Sequence, residues 1–150
     1  MTRRESREAA MSLVFEQGFD VTRSPEEIIN TAVEERGEPR PSKFARELFE
    51  SVSENMGDLD EKISRAAENW RIDRIGKVTL AILRLAAAEL EFFPGIPIET
   101  TVNEALEIAR KYDDEKSVPF INGVLGKLAA GLEKPIAAKK PERREEGGAQ

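Results

Sequence analysis

Residues Val78–Leu90, VTLAILRLAAAEL, form a run of thirteen residues in which only Arg84 and Glu89 are charged. Ile75, Val78, Ile82, Leu85, Ala86 and Phe93 recur at helical spacing as one apolar stripe, while Leu83, Ala87 and Leu90 make a second stripe rotated around the axis. A surface helix shows a single stripe. Two stripes predict a helix buried on more than one side, serving two groups of neighbours, with Ala86, Ala87 and Ala88 letting other backbones approach. The run falls short of the ~20 apolar residues of a membrane span. It predicts the core spine of an all-α fold.

The flanking sequence supplies the other helices. After the spine, Phe93-Pro94-Gly95-Ile96-Pro97 forces a turn. A helix then begins within Ile98 to Thr101, carries Val102, Ala105, Leu106, Ile108 and Ala109, and ends near Lys111 and Tyr112. Asp113–Lys116 reads as a loop, and Ser117 as the N-cap of a last helix with Pro119 in its first turn. Before the spine, Asp58 to Glu61 starts a helix with Leu59, Ile63, Ala66, Ala67 and Trp70, and Trp70 is expected to plug the junction. Gly57 is expected to end a helix over about Lys43 to Met56. Gly37-Glu38-Pro39-Arg40-Pro41 breaks the chain, because each proline pushes its predecessor from helical geometry. Ser24-Pro25-Glu26-Glu27 is a helix start, with an N-cap Ser, Pro at the first position and Glu at the third. The first helix is expected over about Glu5 to Phe19. This gives about seven helices in residues 1–133, followed by a Pro-, charge- and Gly-rich tail, 134–150, that is expected to be disordered.

Composition narrows the function. The chain of 150 residues contains no Cys and no His, so disulfides, thiolate metal sites and the commonest general base are all missing. Catalysis would rest on Asp, Glu, Lys, Ser or the single Tyr, and neither an enzyme nor a bound cofactor is expected. A net charge of −6 argues against a general nucleic-acid coat and leaves room for a local basic patch. The start MTRRESREAA lacks the apolar segment of a secretory signal, so the chain reads as soluble and cytoplasmic.

Three constellations stand out. Arg3, Arg4 and Arg7 cluster at the start of the first helix, where guanidinium forks suit phosphate oxygens; the alternative is a solvated terminus partly cancelled by Glu5 and Glu8. Lys111, Lys116 and Ser117 gather near a helix N-terminus that favours an anion, and Phe120 offers a face to an unpaired base; alternatively, Tyr112 and Phe120 are core residues. Glu89, Glu91, Glu99, Asn103 and Glu104 form an acidic set without metal-ligand grouping, which reads as a solvated or protein-binding face.

Several of these segments occur together in one known family. Trp70-x-x-x-Arg74, Ile82-Leu83-Arg84-Leu85-Ala86, Glu89-Leu90, Ile96-Pro97, Asn103-Glu104-Ala105, Ile108-Ala109, Lys111-Tyr112 and Ser117-x-x-Phe120-Ile121-Asn122-Gly123-Val124-Leu125 closely resemble the NusB family, from about Arg3 to Leu132. The resemblance implies a NusB-like fold of two small packed helical bundles, the first three helices in one and the rest in the other. It implies a transcription antitermination factor that binds boxA RNA of ribosomal RNA operon transcripts with the ribosomal protein NusE, joining RNA polymerase and other Nus factors. Carried over by position, it implies RNA contacts at Arg3, Arg4, Arg7, Phe15, Lys116, Ser117, Phe120 and Asn122, and a partner-facing glutamate at Glu89. Monomer and homodimer both stay open, a dimer being one way to bury the arginine surface until RNA arrives.

The chain departs from the family pattern at three points. Its start has fewer basic residues than many members show, Phe15 lacks the hydroxyl of the usual Tyr, and Ala88 stands where an aromatic is common. Weak affinity for RNA alone, raised by NusE, is the expectation that follows. The alternative is a NusB-like RNA-binding or protein-interaction module with another role, such as part of an rRNA methyltransferase system; no glycine-rich methyl-donor signature accompanies it.

Overall fold

The computed structural model describes residues 1–132, so the tail expected at 134–150 lies outside the described residues. Among the described residues seven α-helices follow one another: α1 (Arg3–Gln17), α2 (Pro25–Asn30), α3 (Lys43–Glu54), α4 (Met56–Ala66), α5 (Lys77–Phe92), α6 (Ile98–Tyr112) and α7 (Ser117–Ala130). A π-helical turn at Thr31–Glu35 extends α2, and a 3-10 turn at Ile72–Arg74 leads into α5. No strand occurs among the described residues.

The spine is α5, and every residue from Thr79 to Leu90 is buried. It touches α1 and α3, which pack on each other, and also α4, α6 and α7, of which α7 packs on both α4 and α6. α2 closes against α1 and α3. The two bundles therefore share one helix, as the two apolar stripes required. A continuous core runs from Ile28 and Phe49 through Ile82, Leu83 and Leu90 to Ile108, Ile121 and Leu125. Ala86, Ala87 and Ala88 are all buried, so the neighbouring helices come close where the side chains are small. No helix among the described residues is long and apolar enough to cross a membrane.

Local chemistry moves some boundaries from their expected places. α1 starts at Arg3 rather than Glu5, because the Thr2 hydroxyl accepts from the Glu5 amide at 3.0 Å and the Thr2 amide donates to the Glu5 carboxylate at 2.8 Å. This capping box satisfies two backbone donors reciprocally. Ser24 and Glu27 form the same device at α2, as expected. Gly57 does not end α3; it lies in the first turn of α4, and the break falls at Asn55, whose side-chain amide donates to the Ser51 carbonyl at 2.8 Å. Ser117 is the first residue of α7 rather than its cap. Trp70 does not plug the junction. It stands 54% exposed, because Glu68 (φ 57°) and Asn69 (φ 68°) reverse the chain after α4 and carry the indole outward.

Leu83 lies wholly within the core at the centre of the spine. Leu83→Ala is expected to cost about 2–5 kcal/mol, from lost transfer energy and the cavity left behind. Urea unfolding followed by circular dichroism measures it.

Candidate nucleic-acid interface

The C-terminal end of α5 sets the geometry of the surface above it. Glu89 is 1% exposed there, and both of its carboxylate oxygens accept from Arg7 of α1, through Nε and Nη2, each at 2.8 Å. The Thr101 hydroxyl, in the first turn of α6, donates to the same carboxylate at 2.6 Å. Arg7 is itself buried, and its Nη1 lies 4.0 Å from Glu104 of α6. Three helices thus meet on one ion pair. A charge is tolerated at such depth only when paired and hydrogen-bonded, and here the forked guanidinium matches the carboxylate. The carboxylate sits near the N-terminal ends of α1 and α6, whose dipoles favour negative charge.

The solvent-facing layer rests on this pair. Arg4 donates from Nε and Nη2 to Glu104, each at 2.8 Å, while about half of its side chain remains exposed. The Arg4 hydrogen bond holds the Glu104 carboxyl below its ordinary range. The Arg3 guanidinium lies 3.9 Å from the centre of the Phe44 ring, a cation–π contact, and Phe44 meets Phe93 edge-on at 5.7 Å. These arginines border an open cleft of about 620 Å³ closed on its far side by the Gly95-Ile96-Pro97 turn.

Side-chain bridges connect this end to the start of α7. α1 and α6 both run antiparallel to α5, as the pairs Arg7–Glu89, Lys77–Phe19, Thr101–Glu89 and Thr79–Asp113 show. One turn beyond Arg4, Glu8 accepts from Lys111 Nζ at 3.2 Å and from the Tyr112 hydroxyl at 3.2 Å. The hydrogen bond to Glu8 raises the Lys111 ammonium above its usual value. Thr79 of the spine then donates to Asp113 at 2.6 Å and lies 3.3 Å from the Ser117 hydroxyl. Lys116, exposed beside it, carries no side-chain ion pair among the described residues. Phe15 lines a smaller hollow with Glu8, Met11, Ser12, Val78 and Tyr112. The result is a strip of cations and aromatic faces from the start of α1, past the end of α6, to the start of α7.

A model of the NusB family matches residues 4–130. The chain belongs to the NusB family. The transcription antitermination protein NusB of Clostridium botulinum (strain Hall) is 40% identical over 142 residues, covering 85% of this chain and 99% of its own. T. maritima NusB superposes with a TM-score of 0.75 at 34% identity, covering 90% of this chain and 94% of that one. A chain in the crystal structure of antitermination factors NusB and NusE in complex with dsRNA superposes with a TM-score of 0.74 at 26% identity, over 88% of this chain and 100% of that one.

Two of the positions carried over from the NusB family are buried: Glu89, expected to face a partner, and Arg7, expected at RNA, pack against each other, because α1 and α6 close over the last turns of α5. Arg3, Arg4, Lys116 and Asn122 are exposed, and Phe15, Ser117 and Phe120 are half-buried. Sequence reasoning missed Thr101 and the pairing of Glu104 with Arg4. The Thr2-x-x-Glu5 signature that rigidifies the arginine-rich start is a local one, visible in the sequence.

The buried pair makes Arg7→Met and Glu89→Leu strongly destabilising, each by about 3–5 kcal/mol, because each leaves one charge unpaired in the interior. The double substitution Arg7→Met/Glu89→Leu is expected to cost less than the sum of these two single substitutions, and urea unfolding of the three variants checks this. For Glu104 the sign follows from its lowered pKa: the stabilisation is complete above the unfolded value of 4.5 and is lost as pH falls through the folded value. Stability therefore drops less on acidification in Glu104→Gln than in the parent, as urea midpoints across that window measure.

Proposed function

We propose that this chain is a transcription antitermination factor that binds boxA RNA of ribosomal RNA operon transcripts together with the ribosomal protein NusE, and that it acts with RNA polymerase and other Nus factors in the cytoplasm. The observation that carries the reading is the basic and aromatic strip joining the start of α1 to the start of α7, on a chain whose relatives are antitermination proteins, one of them solved with NusE and RNA. No catalysed reaction is part of it.

In this reading Arg3, Arg4 and Lys116 neutralise phosphates, Phe15 and Phe120 offer faces to bases, and Ser117 and Asn122 supply hydrogen bonds. Arg7 and Glu89 act indirectly: they fix α1 against α6, and so place Arg4. Arg4 and Lys111 are held by Glu104 and Glu8, so a phosphate must replace a carboxylate at each. That exchange keeps affinity for RNA alone modest, and NusE adds contacts of its own.

Fluorescence anisotropy of a boxA RNA and a scrambled control, with and without NusE at two salt concentrations, tests the reading. Selective binding strengthened by NusE is the expected result. Arg4→Ala and Lys116→Ala should each weaken binding and reduce the salt slope by about 0.7, one phosphate contact to a single strand. Equal affinity for the boxA and scrambled RNAs, even with NusE present, would overturn the boxA assignment.

A further inference from the structure

Trp70 is the sole tryptophan of the chain, and its position is set with more care than a surface side chain requires. Two consecutive left-handed non-glycine residues, Glu68 and Asn69, carry it outward, a conformation that costs energy and persists only where its surroundings hold it. The Asn69 amide donates to the Ser64 carbonyl at 2.7 Å, the Trp70 amide donates to Ala67 at 3.2 Å, and the Ser64 hydroxyl donates to the Trp70 carbonyl at 2.6 Å. The backbone of Trp70 is therefore tied to the end of α4 on both sides while more than half of the residue faces water. Its indole lies 5.8 Å from the Phe120 ring with the planes inclined by 50°. A hollow of about 230 Å³ separates these rings from Gly123 and Lys127, and a Cβ at Gly123 would meet nothing within 4 Å.

Cations lie nearby in the chain or at the hollow itself: Arg71 follows Trp70 and Arg74 stands four residues on, Lys127 lines the hollow together with Glu68, and Lys116 precedes Phe120 by one turn of chain. Arg71 is paired with Asp73 and Lys127 with Glu68, but both pairs are exposed, and such pairs exchange readily for a phosphate. Arg74 and Lys116 have no side-chain ion pair among the described residues. An exposed aromatic side chain flanked by exposed cations is the chemistry of a single-stranded nucleic-acid track: every unpaired base has a π-face, and the cations follow the backbone.

We propose that Trp70 and Phe120 form a stacking platform for an unpaired base of the bound RNA, with Arg71, Arg74 and Lys127 on the adjacent phosphates, so that the RNA path continues past α7 to the end of α4. This rests on the RNA-binding reading given above and adds a site to it. Because Trp70 is the only tryptophan, its emission reports the site directly in the full chain.

The test titrates the protein, in the presence of NusE lacking tryptophan, with single-stranded boxA RNA, following the anisotropy of the labelled RNA and the emission of Trp70. Stacking quenches the indole, with the same midpoint as the anisotropy. Trp70→Ala should raise Kd roughly tenfold, equivalent to about 1.4 kcal/mol, and Trp70→Phe should keep most of the affinity. A residue that only seals the seam between α4 and α7 would change the melting temperature and leave RNA affinity and emission untouched. RNA that binds with constant Trp70 emission and equal affinity for Trp70→Ala overturns the platform and leaves the RNA reading standing. RNA that does not bind at all removes both, and the anisotropy of the parent protein distinguishes the two results.

Discussion

The ion pair between Arg7 and Glu89 sits where three helices converge, and the placement of the surface above it depends on that pair. Buried pairs are poor sources of net stability, since desolvation consumes much of the Coulomb attraction. What this one contributes is geometry. Its two parallel hydrogen bonds and the third from Thr101 fix the rotation of α1 and α6 about the spine, where an apolar contact would tolerate slippage. A second buried arginine, Arg84, grips Asp60 of α4 through two hydrogen bonds at 2.8 and 2.7 Å and anchors the opposite face of α5. The spine is thus tied by forked pairs to helices of both bundles.

The outer layer follows the same chemistry under weaker constraint. Two of the basic residues along the strip are matched by carboxylates, Arg4 with Glu104 and Lys111 with Glu8. These partly exposed pairs are individually weak in water. They hold the cations in place and yield to a ligand that carries more negative charge. A surface built this way suits the proposed phosphate-backbone ligand, which would engage several sites together.

Aromatic residues extend the strip. Phe15 and Tyr112 border one hollow, and Phe120 with Trp70 borders another. Between them, the bond from Thr79 to Asp113 and the adjoining Ser117 tie the loop after α6 to the spine. The segment joining α6 to α7 is therefore supported from the core and is not an independent loop.

Much of the fold was legible in the sequence because the signals were local. The double stripe of Val78–Leu90 follows from helical periodicity, and the start at Ser24-Pro25 follows from capping chemistry; neither needs a distant residue. The resemblance to the NusB family singled out Arg4, Lys116 and Phe120, of which the structure leaves the first two exposed and the third half-buried. Burial of a charged side chain is not a local property. Arg7 and Glu89 are separated by most of the chain, and nothing in either segment states that α1 and α6 will close over the end of α5 and remove both from water. The exposure of Trp70 has the same character, since it depends on two left-handed residues whose types, Glu and Asn, do not demand that conformation. Sequence alone determined which residues form helices and which stripes face inward; tertiary structure decided which charges meet, because pairing depends on how the helices are rotated and stacked once the apolar faces have been buried.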